Sequence, residues 1–384
     1  MSAKQHDLPY WRLSSFYLFY FASLGAFIPY WSVYLQSLGF SPVEIGQLMA
    51  ILMATKIVSP NIWGWIADHT GKRMVIVRFG CLAALIMFCG VFIQQGYWWL
   101  AAVMIGYSFF WNAALPQFEA VTFTYLGDRS EKYSGIRVWG SIGFVFSVSL
   151  VGLALDFYDV QLLPYISVFL LLAIWVASLI VKERDTTQLQ ISHESLRNIL
   201  LRPHVIALFV SCMLMQASHG PYYTFYTIYM ESHGYARGWV GQLWSLGVIA
   251  EVIVFLVMFK LVTRFGLRFL LLASLALASL RWILTGMFVE STAVMIFAQT
   301  LHAASFGVYH AAAIQLIHKN FKGKHQGKGQ ALYSSMSFGV GGALGSLYSG
   351  FTWSSLGPEA TYYVAALISL CGFFVAWYGV QKDN

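Results

Sequence analysis

The chain has 384 residues, 58% of them hydrophobic and 10% charged, with a mean hydropathy of +0.65 and a formal net charge of +7. An ordinary soluble domain carries about 25% charged residues. A soluble fold of this size has no means of hiding so much apolar surface, so lipid must be the solvent for much of the chain. Cys81, Cys89, Cys212 and Cys371 all fall in apolar segments without C-x-x-C spacing, and they read as reduced packing residues, with neither a disulfide nor a metal site.

The first ten residues are polar and no signal-peptide cleavage site follows, so the first apolar segment is expected to be retained. Runs long enough to span a bilayer, about 20 residues each, lie near 12–36, 43–67, 74–94, 98–124, 136–155 and 163–181. Six more lie near 205–231, 239–262, 268–288, 293–318, 329–353 and 361–380. The expected fold is an all-α polytopic membrane protein of twelve transmembrane helices. Alternation puts both termini on one side, together with every lysine and arginine except Lys56, Arg237 and Arg281. The opposite loops carry Asp156, Asp159, Glu231, Glu290 and Glu359. By the positive-inside rule both termini are cytoplasmic, and the expected location is a bacterial inner membrane. The +7 is therefore a topology signal, and no nucleic-acid partner is expected.

One long polar stretch, Lys182 to Pro203, divides the chain into two six-helix bundles, 1–182 and 204–384, joined by a linker over 183–203. At the end of the second segment stand Gly64, Asp68, Gly71, Lys72 and Arg73, in the pattern G-x-x-x-D-x-x-G-K-R. Gly64 would admit a close neighbouring helix. Asp68 could bond a nearby helix N-terminus or pair with a cation. Gly71 supplies the turn, and Lys72 and Arg73 anchor it on the basic side. Phe259, Thr263, Gly266 and Arg268 repeat that pattern in degraded form after the eighth segment, either as a second copy in a parallel repeat or as chance likeness of loop composition. Segments five (Gly140, Gly143) and eleven (Gly339, Gly341, Gly345) share small residues, which serve static packing or sliding between halves equally well.

Ionisable side chains within the apolar segments are costly and usually face a cavity or a partner. They are Lys56, Glu119, Arg137, Glu251 and Arg281, with His219, His302 and His310. Glu119 with Arg137, and Glu251 with Arg281, would neutralise each other if their helices are neighbours. Such pairs either hold the bundle together or couple protons to transport. Glu251, beside the apolar run 252–255, is the first choice of proton carrier, ahead of Glu119. In a regular helix His302 and Tyr309 share a face, while His310 turns about 80° away. Either histidine could relay a proton or bridge helices.

His219, Tyr222, Tyr223 and Tyr226 occupy one face of the seventh segment, and Gly220-Pro221 weakens the helix there. With Tyr30, Tyr34 and Trp244 they offer rings that stack on a ligand or simply fill the core. Lys56, Arg137 and Arg281 could hold a carboxylate.

The G-x-x-x-D-x-x-G-K-R loop resembles that between the second and third helices of the major facilitator superfamily. The runs 30–35, 137–141 and 243–251 (YWSVYL, RVWGS and LWSLGVIAE) narrow the likeness to the 3-phenylpropionic acid transporter family, related to the lactose permease and nucleoside–proton symporters. The resemblance runs nearly end to end. It implies that Glu119 and Arg137 bind substrate, and that Glu251, Arg281 and a histidine, by position His302, couple protons. The acid that follows that histidine in the lactose permease group is missing, Gln315 being the nearest polar residue.

The expectation is a monomeric secondary transporter that imports a small organic solute with protons, by alternating access and with no cofactor. An aromatic carboxylic acid such as 3-phenylpropionate is the first ligand considered. A sugar or nucleoside, or export in place of import, is the alternative. An enzyme is not expected: His193-Glu194 begins an HExxH-like pattern that Arg197 breaks, and no P-loop or nucleophile triad is present.

Overall fold

The computed structural model describes residues 8–127, 129–183, 196–323 and 325–381. Lys4, Arg184, His193, Glu194, Lys324 and Lys382, along with most of the polar linker, lie outside the described residues. Ten helices are long and apolar enough to cross a membrane. In the first half these are α1 (Tyr10–Ser37), α2 (Pro42–Thr70), α3 (Arg73–Phe88, extended by a 3-10 turn to Phe92), α4 (Tyr97–Leu126), α5 (Tyr133–Phe157) and α6 (Leu163–Leu179). The second half contains α7 (Pro203–Ser218 and Gly220–Ser232), α8 (Arg237–Phe265) and α9 (Leu267–Met287). Two interrupted helices follow, α10 (Thr292–Thr300 and Tyr309–Asn320) and α11 (His325–Ser334 and Gly342–Leu356), and then α12 (Pro358–Gly379). Among the described residues no strand occurs.

Local chemistry accounts for several boundaries. α2 starts on a capping box, with Ser41 N donating to Glu44 Oε2 at 2.8 Å and Pro42 in the first turn. It stops at Gly71, whose φ of 66° is left-handed. α7 breaks at His219, where Gly220 and Pro221 interrupt the helix as expected. α10 and α11 are not regular. Ala303–Val308 and Ser335–Gly341 are π-helical turns inside them, each accommodating an extra residue and shifting the helical phase.

The two halves are built alike. α5 packs against α1 through Gly25 and Gly143; a Cβ on Gly25 would sit 2.6 Å from the Phe144 carbonyl oxygen. α11 packs against α7 in the same way, with a Cβ on Gly345 meeting the Ala217 oxygen at 2.7 Å. In each half an arginine of the third helix ties down the end of the sixth: Arg78 donates to the carbonyls of Ser178 and Val181, and Arg268 to those of Trp377 and Val380.

The halves meet along two seams, α5 on α8 and α2 on α11. At the end remote from the basic loops they are tightly joined. Asp156 accepts from Gly238 N, Ser149 and Ser245 share a hydrogen bond of 2.8 Å, and Thr227 donates to the Pro29 carbonyl. Gly46 lets α11 approach so closely that an added Cβ would be 2.7 Å from Ser346 O. On the basic side of Val145 and Ser245, no hydrogen bond among the described residues crosses the α5–α8 seam.

Candidate substrate and coupling site

At the basic end, Asp68 Oδ1 accepts from Arg73 Nη2 at 2.6 Å, and Arg73 also donates to Gln117 Oε1. Lys72 follows Gly71 in the turn. The close approach expected at Gly64 is not made, since an added Cβ would find only Gln117 Nε2, at 3.8 Å. The close inter-half glycine contacts lie toward the other end, at Gly46, Gly238 and Gly241, and at mid-helix, where Gly339 meets Ile57.

Within the first half, Glu119 and Arg137 form no direct ion pair. Glu119 Oε1 accepts from Tyr133 OH at 3.0 Å, and the Arg137 guanidinium lies over the Phe21 ring, 3.8 Å from its centroid. Tyr30 and Tyr34 are buried near the closed end. Tyr30 OH donates to Val148 O at 2.8 Å, and Tyr34 OH accepts from Gln95. Lys56 lines a small cavity of about 20 Å³ with Phe27, Tyr107, Ser108, Trp111 and Asn112.

The second half brings four of the expected residues together, Arg281, His302, Glu251 and Tyr222. Arg281 is fully buried. It donates to His302 Nδ1 at 3.0 Å, to Gln299 Oε1 at 3.0 Å and to Ser305 Oγ at 3.3 Å. Its guanidinium stands 4.3 Å from the Tyr222 ring centroid. An arginine has donors only, so His302 Nδ1 must be the acceptor, and in the neutral ring the proton belongs on Nε2. That nitrogen lies 3.7 Å from Glu251 Oε2. The expected Glu251–Arg281 pair is thus relayed through His302, because α10 passes between the two side chains. Glu251 fits there because position 307 is glycine, where a Cβ would approach Glu251 Cγ to 2.9 Å.

The π turn also alters the expected faces of α10. His302, Phe306 and His310 form a stacked row, with centroids 5.3 and 6.1 Å apart. Tyr309 instead points at α7 and donates to Cys212 O. The extra residue in the turn places His310 where a regular helix would have put Tyr309. His310 Nδ1 is 2.9 Å from Tyr333 OH, away from the Arg281 group.

The aromatic face of α7 packs against that group. Tyr222 lies 4.1 Å from Trp244 between centroids, and its hydroxyl donates to Gln299. Tyr223 stacks on His219, and Tyr226 contacts both Tyr222 and Trp244. His219 Nδ1 is engaged with Met215 O at 2.8 Å, leaving its Nε2 without a partner. Sequence reasoning missed Gln299 and Ser305, although a glutamine in an apolar segment is itself a signal of a buried polar partner. It also missed the indole N–H of Trp111, which is buried and unpaired.

A family model described as "MFS_1 like family" matches residues 10–364. An Escherichia coli (strain K12) protein named "Probable 3-phenylpropionic acid transporter" is 31% identical over 370 residues, covering 94% of this chain and 95% of that protein. The "Uncharacterized transporter YwbF" of Bacillus subtilis (strain 168) is 23% identical, over 98% and 94% of the two chains. Among solved structures, a mutant of the nucleoside transporter NupG matches with a TM-score of 0.84 at 16% identity, over 97% of this chain and 99% of that one.

Proposed function

Because the chain belongs to the MFS_1 like family and is a multi-pass membrane transporter, we propose that it is a proton-coupled symporter importing an aromatic carboxylic acid. The observation that carries the coupling is the Glu251–His302–Arg281 relay. A proton arriving at His302 Nδ1 competes with the Arg281 N–H for one lone pair, so the imidazole cannot charge without releasing the arginine. Glu251 is the member of the relay free to take the proton. Neutralising it removes the negative charge opposite His302 Nε2 and weakens the link between α8 and α10. Protonation is thereby tied to packing, as a symporter requires.

The ligand class rests on the relative's name and on the cations of the membrane core. In this reading the basic loops and both termini face the cytoplasm of a bacterial inner membrane, and the latched end faces outward. The Asp68–Arg73 loop then forms its cytoplasmic gate. Each chain carries a whole site and works as a monomer.

The test is uptake of labelled 3-phenylpropionate into proteoliposomes under a pH gradient. Wild-type protein should accumulate the acid and lose it with an uncoupler. Glu251→Gln should still exchange it downhill without accumulation. Undiminished uphill uptake by Glu251→Gln would sink the relay and move coupling to Glu119 or another histidine. Accumulation of a nucleoside or disaccharide instead would keep the machine and discard the acid.

A further inference from the structure

Lys56 is a cation in the membrane core without an acceptor. Among the described residues it has no ion pair or hydrogen bond, whereas Arg137 is stacked on Phe21 and Arg281 makes three hydrogen bonds to α10, with only its Nε left unpartnered. The acids of the helices around it are all engaged elsewhere. Glu44 caps α2, Asp68 pairs with Arg73, and Glu119 accepts from Tyr133. α1 has no acid.

The cavity that Lys56 lines lies between α1, α2 and α4. The Thr55 hydroxyl accepts from Asn112 and has Ser108 Oγ and Leu52 O within reach of its one proton, and the Ser108 hydroxyl donates to Met104 O. The buried Trp111 indole N–H has no partner. An ammonium group and an indole N–H both lack acceptors beside one cavity, while Phe27, Tyr107, Leu24 and Ile28 make its walls apolar. Unpaired donors together with a positive charge in the membrane core define an anion site, since either group left alone is costly in an apolar setting.

We propose that this notch is the carboxylate subsite of the transported acid. Lys56 supplies the counter-charge, Trp111 Nε1 donates a hydrogen bond, and Phe27 and Tyr107 flank the carbon skeleton. The inference rests on the acid reading above and makes Lys56 the residue that sets charge selectivity. A volume of about 20 Å³ is enough for little more than one water. The notch as it stands therefore takes the headgroup alone.

The experiment is titration calorimetry on purified full-length protein with 3-phenylpropionate and its uncharged mimic, 3-phenylpropionamide. Wild-type protein should prefer the acid by about 10- to 100-fold, the range of a charge-assisted hydrogen bond. Lys56→Gln should bind both alike while keeping its amide affinity, and Trp111→Phe should weaken acid binding several-fold. Lys56→Gln also removes an unpaired membrane charge, so its ligand-free melting temperature should not fall. Lys56→Arg keeps the charge and should keep the preference. A preference that survives in Lys56→Gln, or is lost in Lys56→Arg as well, overturns the assignment. Wild-type protein that binds neither compound overturns the ligand class proposed above, and the carboxylate subsite with it.

Discussion

The join between the halves at the end remote from the basic loops includes a helix cap supplied from across the seam, and removing it should loosen that end. Ala236, which precedes α8, offers no capping side chain. The two carboxylate oxygens of Asp156, on α5, lie 3.1 and 3.0 Å from Gly238 N. Arg237 is meanwhile paired with Glu231 and donates to the Leu155 carbonyl. Losing a cap typically costs about 0.5–2 kcal/mol, and losing a charge at a helix N-terminus about 0.3–1 kcal/mol. Asp156 is exposed, so solvent screening argues for the lower part of that range, about 1 kcal/mol, or about a fivefold shift of the closed–open equilibrium. Asp156→Ala can be read with a single reporter, Ser245→Cys, after replacing Cys81, Cys89, Cys212 and Cys371. Ser245 is only 3% exposed at the α5–α8 seam, so thiol labelling reports opening. The labelling rate should rise about fivefold in Asp156→Ala. Asp159→Ala is the control, because Asp159 caps Gln161 within its own half. An unchanged rate in Asp156→Ala, or an equal rise in the control, would refute the latch.

Two further outcomes follow from the packing. Gly25→Val should lower the melting temperature of the purified protein, because its Cβ would press on the Phe144 backbone and overpacking typically costs about 1–3 kcal/mol; unchanged melting would mean that the α1–α5 crossing relaxes freely. Asp68→Asn should hardly alter melting, since Asp68 is 67% exposed and such pairs contribute about 0–1 kcal/mol. It should nevertheless slow transport more than it weakens 3-phenylpropionate binding, and the opposite split between rate and affinity would remove Asp68 from the gate.

Much of the bundle was legible because hydrophobic length and charge asymmetry are written locally. The break at His219 followed from Gly220-Pro221, and the turn after α2 followed from Gly71. The π turns could not be read. Ala303–Val308 and Ser335–Gly341 are runs of small and apolar residues that a regular helix accepts equally well, and packing against α8, α7 and α2 decides otherwise. That one extra residue per turn accounts for the misplaced face of His310. The order Glu251–His302–Arg281 was hidden for a related reason. Each ionisable group was visible, but which lies between the others depends on how three helices pack. Asp156 read only as a topology marker, because its partner is a backbone N–H in the other half.

The two halves share a scaffold but not a charge pattern. In the second half every charged group of the core has a polar partner within that half: Arg281 has three, and Glu251 faces His302. In the first half Lys56 has none. A core that pairs its charges tolerates the empty state, whereas one that leaves a cation unpaired is stabilised by an arriving anion. On the proposed reading, solute binding therefore acts first on α2 and α4 and protonation first on α8 and α10. The seams α2–α11 and α5–α8 are where the two effects meet. Coupling then requires no contact between the acid and Glu251, only that both change the relative stability of the same latched arrangement.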